Sequence, residues 1–274
     1  LRASRGDENP MTEFPSFETV RIDQKDGVAV LILNRPGVLN AFNEQLTAEF
    51  HDAVKHAERA AEVRCLVITG AGRAFCSGQD LRERAAGGEV SYADSLRRRY
   101  NPIILRLHTM NKPVIAAVNG VAAGAGCNLA LACDLRIASD RASFIEVFAR
   151  VGLVPDSGGT YFLPRLVGLG KAFELAYLAE PVDAQEALRL GLVNRVVPHD
   201  DLLTATLDLA RRLAVGPTKG YGLIKRGLRF ASAAALEQAL AYEAYLQEIA
   251  GHTADHREGV AAFLEKRKPN FSGT

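Results

Sequence analysis

The chain has 274 residues, with 33 Lys and Arg against 32 Asp and Glu, and a formal net charge of +1. Its 48% hydrophobic and 24% charged content is that of a globular protein and excludes a disordered, collagenous or coiled-coil chain. So small a surplus of charge excludes a nucleic-acid binder with a broad basic footprint. Four cysteines (Cys65, Cys76, Cys127, Cys133) without a C-x-x-C pair exclude a disulfide scaffold and fit a reduced, cytoplasmic setting.

In chain order, residues 1–10 lack a starting Met, an apolar core and a cleavage-like site, so they do not read as a signal peptide. Met11 followed by Thr-Glu-Phe reads as a natural start, and residues 1–16 as an N-terminal extension. Residues 18–23 and 28–33 flank a Lys25-Asp26-Gly27 turn and predict a hairpin. Asn43 opens a helix with Leu46, Phe50, Val54 and Ala57 on one face. A strand is expected over 63–69, followed by a small-residue loop over 70–78, a charged helix over 96–110 and a strand over 114–118. An Asn119-Gly120 turn, a helix of small residues and a strand over 135–138 follow. This alternation implies α/β layering. Past residue 160 only 193–197 looks extended, and the rest reads as helices broken at Pro198, Gly216-Pro217 and Gly251. Residues 17–200 are therefore expected to form an α/β core and 201–274 a helical region, with no Pro/Gly/Ser-rich linker between them.

Residues 113–133 carry no charge, and a stretch of ~20 such residues can span a bilayer. Asn119, Asn128 and the glycines argue instead for a buried strand, a turn and a tightly packed helix. Gly124-Ala125-Gly126 lacks the third glycine of a dinucleotide fingerprint, Gly170-Lys171-Ala172 is not a phosphate loop, and no G-x-S-x-G elbow is present. Glu248, His252 and His256 could share a helical face and hold a metal, but a solvated face is the simpler reading. Three loops remain, each after a strand-like run: 72–81, 119–128 and 152–160. Small residues at such bends let backbone N–H groups face a ligand, and together the loops suggest a site built from backbone donors.

At these residues the chain resembles the enoyl-CoA hydratase/isomerase (crotonase) superfamily, from about Phe17 to Phe271. The anchors are LNRPGVLNAFN (33–43), GRAFCSGQDL (72–81), KPVIAAVNGVAAGAGCNLALACDLRIAS (112–139), GLVPDSGGTYFLPRLVG (152–168), A-x-x-x-GLVNRVV (187–197) and EGVAAFLEKRKPNF (258–271). The resemblance implies an α/β fold, a spiral of β-β-α units with a C-terminal α-helical oligomerisation region, assembled as a trimer or dimer of trimers. It implies an acyl-CoA substrate, with coenzyme A entering as part of the thioester, no tightly bound cofactor, and neither nucleic acid nor membrane as partner.

By the same resemblance, the N–H groups of Gln79 and Ala125 form an oxyanion hole for the thioester oxygen. Gly78, Asp80, Leu81 and Gly124 flank them. Ala74, Phe75 and Ser77 line the CoA path, and Arg35, Phe263 and Lys266 make further CoA contacts. The family's hydratases use two carboxylates. Their positions fall here on Asn128 and Phe148, neither of which transfers a proton, and Glu146 lies two residues from the second. A solvent-facing or structural Glu146 is the plainer reading of that residue. Asp156 in VPDSGGT has the local pattern of a helix N-cap. The PDSGGT and FCSGQDL motifs instead look most like the isomerase branch, including the ring-epoxide/oxepin isomerase of phenylacetyl-CoA breakdown. There an aspartate at this position is the general acid/base, and apolar neighbours (Val154, Phe162, Phe148) would raise its pKa. Three readings follow: an isomerase acting through an enolate, a hydratase using Glu146 or Asp156, and a non-catalytic acyl-CoA-binding protein. Tyr100, Leu105, Phe144 and Phe162 are candidates for the acyl pocket, with core packing as the alternative for each. With almost no net charge, CoA binding would rest on local placement: loop donors, Arg35 and the Lys266-Arg267-Lys268 run.

Overall fold

A computed structural model describes residues 14–82 and 91–274. Residues 1–10 and Met11 lie outside the described part. The first strand, β1 (Val20–Lys25), pairs antiparallel with β2 (Val28–Leu33) across an Asp26-Gly27 turn in which both residues have positive φ. The hairpin therefore starts two residues later than the hydrophobic pattern suggested. Asn43 caps α1 (Glu44–Arg59), its side chain accepting from Leu46 N–H at 2.8 Å. Leu46, Phe50, Val54 and Ala57 are buried on one face, as the helical spacing requires.

Three strand pairs then repeat. β3 (Cys65–Gly70) leads into β4 (Ala74–Cys76), β5 (Val114–Val118) into β6 (Val121–Ala123), and β7 (Leu135–Ser139) into β8 (Ser143–Ile145). A helix follows each pair: α2 (Tyr92–Ser95, a π turn over Leu96–Tyr100, then Asn101–Thr109), α3 (Ala125–Ala132) and α4 (Gly159–Val167). First members of the pairs join β1, β2 and β10 (Arg195–Val197) in a six-stranded sheet, β1-β2-β3-β5-β7-β10, parallel except for the β1–β2 hairpin. The three second members, with β9 (Val182–Asp183) antiparallel beside β8, form a four-stranded sheet, β4-β6-β8-β9. These are the expected β-β-α units. The remaining elements are α5 (Leu169–Leu178), β9 (Val182–Asp183), α6 (Ala184–Leu190), β10 (Arg195–Val197), α7 (Leu202–Ala214), α8 (Thr218–Ala231), α9 (Leu236–Gly251) and α10 (Ala254–Leu264). Two-residue β9 is an addition to the extended segments expected past residue 160.

Period-two burial explains why the large sheet reads as nearly continuous apolar runs. Ala29, Leu31, Leu66, Ile68, Val114 and Ala116 face the main core, while Val28, Val30, Cys65, Val67, Ile115 and Ala117 face a second core closed by Leu202, Ala210 and Ala214 of α7. The first helix of the C-terminal region thus completes the sheet's packing. The uncharged stretch 113–133 is β5, a turn, β6 and α3, buried almost throughout, and among the described residues no helix is long and apolar enough to cross a membrane. His252 ends α9 and His256 lies in α10, so the two do not share one helix. No group of His, Cys, Asp and Glu suited to a metal occurs among the described residues. All four cysteines are buried and free.

Candidate active site

β4, β6 and β8 are mutually parallel, so their carboxyl ends emerge side by side. Gln79 follows β4, Ala125 opens α3 after β6, and Glu146 follows β8. Gly124 N–H donates to Ile145 C=O at 2.9 Å and ties the last two ends together. A Cβ on Gly78 would lie 2.8 Å from Ala123 C=O and 3.5 Å from Ala125 N, so only glycine lets the first end reach the second. Gly78 and Gly124 have φ of 92° and 52°, a region that side chains with a Cβ disfavour.

Two N–H groups are directed by this construction. Phe42 N–H donates to Gly78 C=O at 2.7 Å and Asp80 N–H to Phe42 C=O at 2.9 Å. These bonds occupy one edge of the 78–80 segment and turn the Gln79 N–H to the opposite edge. Ala125 is the first residue of α3, where an N–H has no partner inside its helix. Two buried asparagines hold the supporting loop. Asn40 Nδ2 donates to Ala71, Ala74 and Phe75 C=O at 2.9, 2.8 and 3.2 Å. Asn119 Nδ2 donates to Gly72 and Ala74 C=O at 2.9 and 3.2 Å. Neither was singled out from sequence as a positioning residue, although both stand in motifs that were.

Asp156 is half-buried in the turn before α4. It does not cap that helix. Gly158 is the N-cap residue, and Asp156 Oδ1 accepts from the Ser157 hydroxyl at 2.8 Å. Ser157 and Gly158 both have positive φ, so the chain turns away before the helix begins. Asn128, one turn into α3, donates through Nδ2 to Asp156 C=O at 2.9 Å and brings the turn against the helix that begins with Ala125. Burial pushes the Asp156 carboxyl above its ordinary value, and the Ser157 hydrogen bond partly opposes this. Tyr100 is pushed up by burial first and then by the charge of Asp156, which places the phenol in the carboxylate's field.

Glu146 is neither solvent-facing nor remote. It is 3% exposed, and Asn128 Nδ2 approaches its Oε2 at 3.5 Å. Burial raises its pKa to about 7, with the charge of Asp156 adding to the rise against hydrogen bonds from Cys127 and Asn128. Phe148 is buried, and its ring and Val147 lie against Gly124. Val154 is 77% exposed, so it does not enclose Asp156 within this chain.

The residues expected along the CoA path are dispersed. Ala74 and the Phe75 ring are fully packed in the core, which leaves their backbone as the part able to face a ligand. Ser77 Oγ donates to Val38 C=O at 3.3 Å, and Leu81 is exposed. Arg35 is drawn to Asp80 at 3.1 Å and to Ala41 C=O at 2.6 Å, so it braces the 78–81 segment. Phe263 and Lys266 are exposed on and just after α10, and Arg267 is held by Glu258 at 2.6 Å and by Glu265. Of the acyl-pocket candidates, Tyr100 is buried in the core and Phe162 packs partly buried against it, beside Gly158. Phe144 is a core residue, and Leu105 is 61% exposed and does not belong to an enclosed pocket within the chain.

The profile of the family described as "Enoyl-CoA hydratase/isomerase" matches residues 23–274. The chain belongs to the enoyl-CoA hydratase/isomerase family. Among its relatives, "1,2-epoxyphenylacetyl-CoA isomerase" of Escherichia coli (strain K12) is 46% identical over 90% of this chain and 95% of its own. "Probable enoyl-CoA hydratase" of Rhodobacter capsulatus is 45% identical over 94% and 99%. The crystal structure of a putative enoyl-CoA hydratase from Streptomyces coelicolor A3(2) superposes with a TM-score of 0.90 at 37% identity, covering 99% of this chain and 100% of that one. The crotonase fold and an acyl-CoA-transforming family thus stand together with the converging loops described above.

Proposed function

We propose that this enoyl-CoA hydratase/isomerase family enzyme moves a double bond, or opens a ring epoxide, in a CoA thioester through an enolate. The observation that carries this is the set of carboxylates. Asn128 and Phe148 stand where the resemblance puts the hydratase pair, and Asp156 offers a half-buried carboxylate that no helix N-terminus consumes. In a 3-enoyl thioester, Asp156 takes a proton from C2, the electron pair moves through the thioester, and the oxygen takes the charge. Donors at Gln79 and Ala125 stabilise that oxygen, each such preorganised donor being worth ~10²–10³ in rate. Return of a proton from the Asp156 carboxyl, which can first exchange with solvent, to C4 gives the 2-enoyl product, so one group serves both steps without a net change in atoms. The 46% identical epoxyphenylacetyl-CoA isomerase supports extending this to a ring-bearing acyl group.

Solvent deuterium exchange into 3-enoyl-CoA and 2-enoyl-CoA tests the reading. Wild type is expected to exchange at C2 and C4, and Asp156→Asn to lose it. Unchanged exchange in the variant refutes Asp156 as the base. A hydratase reading is favoured by the buried Glu146 carboxyl and the Rhodobacter relative; it requires solvent oxygen to appear at C3. Binding of CoA esters without exchange in wild type would indicate a non-catalytic member.

A further inference from the structure

Two buried oxygens beside the site lack a hydrogen-bond donor: Glu146 Oε1 and Asn128 Oδ1. They belong to side chains already in contact, because Asn128 Nδ2 approaches Glu146 Oε2 at 3.5 Å. The same Nδ2 donates to Asp156 C=O at 2.9 Å, so both protons of that amide have acceptors. A carboxylate at Glu146 would leave both buried acceptors without a donor, Glu146 itself lying beside Phe144, Leu163, Val182 and Leu192. One proton on Glu146 would remove the conflict, supplying a donor beside two neighbouring side chains whose remaining oxygens lack one.

We propose that Glu146 is a positioning residue, held as a neutral acid that pairs with the Asn128 carboxamide and thereby fixes that amide on the Asp156 backbone. The proposal rests on the reading of Asp156 as the acid/base, and it assigns Glu146 no proton transfer to substrate. Neutrality has a second consequence. With Glu146 uncharged, Asp156 can ionise without a like charge beside it, and the two carboxyls are kept in different protonation states. The titratable groups facing Glu146 are Cys127 from α3, Asp156 from the turn before α4, and Glu180 from the connection between α5 and β9. Cys127 is a buried thiol held protonated chiefly by burial, and Arg136 of β7 acts on that thiol. Burial and the charge of Asp156 both favour the proton on Glu146, with a pKa of about 7. The pair is thus expected to titrate in two steps. Activity rises as Asp156 ionises and falls as pH climbs through the Glu146 step, where the O–H donor is lost and a second negative charge appears.

The test compares kcat–pH profiles of wild type, Glu146→Gln and Glu146→Ala with 3-enoyl-CoA, alongside infrared spectra of the unliganded proteins at pH 6. A glutamine keeps a donor and an acceptor in place, so Glu146→Gln is expected to retain turnover and to lose the alkaline fall. Glu146→Ala is expected to lower kcat on the order of 10–100-fold at every pH with little change in KM, as for a misplaced catalytic group. The wild-type spectrum should contain a protonated-carboxyl carbonyl band that is absent from Glu146→Gln. The proposal is overturned if Glu146→Gln is as impaired as Glu146→Ala, if the alkaline fall persists in Glu146→Gln, or if no carboxyl band disappears. If Asp156→Asn keeps full exchange, the acid/base reading fails separately, and the infrared comparison still decides whether Glu146 holds the proton.

Discussion

Gly126→Ala sets two effects of opposite sign against each other. Gly126 is the second residue of α3 and has ordinary helical φ, so alanine should add up to ~1 kcal/mol of helix propensity. A Cβ there, however, would lie 2.3 Å from the Cys76 carbonyl oxygen, 2.7 Å from Cys76 Cβ and 2.8 Å from Cys76 C. An ordinary contact is roughly 3.5 Å or more, so β4 and α3 must part by about 1 Å. Backbone atoms cannot rotate away, and overpacking of this kind costs roughly 1–3 kcal/mol. The clash wins, with a net loss of about 1–2 kcal/mol. Activity should suffer more, because β4 leads to Gln79 and α3 begins with Ala125. A 1 Å misplacement of catalytic groups can cost about 10²-fold. Urea unfolding and C2 exchange in 3-enoyl-CoA measure the two effects. Gly170→Ala near the start of α5 is the control, since no atom comes within 4 Å of its Cβ and it should be neutral or slightly stabilising. Native exchange rate and stability in Gly126→Ala would refute the claim that this contact sets the spacing of the donors.

Three further outcomes are expected. Glu146 has a folded-state pKa raised from 4.5 to about 7, so its contribution to stability is fully present below pH 4.5 and is lost as pH rises through 7. At ~1.4 kcal/mol per unit the loss is about 3 kcal/mol. Glu146→Gln should remove that slope, and identical pH dependence of the urea midpoints in the two proteins would contradict it. Asp134 accepts from Lys225 at 2.8 Å, from Arg229 at 2.7 Å and from Val114 N–H at 2.9 Å, joining α8 to the large sheet. Asp134→Ala leaves two partly buried cations without it and should cost about 3 kcal/mol in a denaturant titration; a midpoint within error of wild type would show the pair to be dispensable. Asp156 must ionise to act as a base, and its pKa is raised by burial, so exchange should rise with pH on the acid side and this limb should disappear in Asp156→Asn.

α1 was legible from spacing, because its apolar period and its one buried face coincide, and β2 from a continuous apolar run buried on both faces. β4, β6 and β8 were not, because three residues are too few to display a period. Yet these strands place the functional loops side by side. The glycines marked where those loops bend, so Gln79 and Ala125 could be reached through motif resemblance. Asp156 looked like a cap because capping preference counts residue type, whereas the positive φ at Ser157 and Gly158 decides where α4 starts. Glu146 carried two readings, solvent-facing or structural, and its burial removes the first. It directly follows β8, where the alternation that buries Phe144 also turns residue 146 inward; the 3₁₀ turn over Val147–Val151 begins there and the carboxyl is buried beside Asn128.

The absence of charge from 113–133 follows from what that stretch must do. Both faces of β5 are covered, and every residue of α3 is buried, so a charged side chain would have no route to water. Small size is required as well: a Cβ on Gly120 would meet the Arg73 carbonyl oxygen at 2.1 Å, as one on Gly126 would meet that of Cys76. These approaches draw the backbone on both sides of β6 onto β4 and the residue before it, and bring the segments bearing Gln79 and Ala125 together. On the proposed reading, the apolar surroundings that mimic a membrane span would also reduce competition from water for the N–H groups of Gln79 and Ala125. Such donors stabilise a developing oxyanion far more than they would in bulk solvent. The segment that hydropathy would assign to a bilayer is thus the low-dielectric wall of the candidate site.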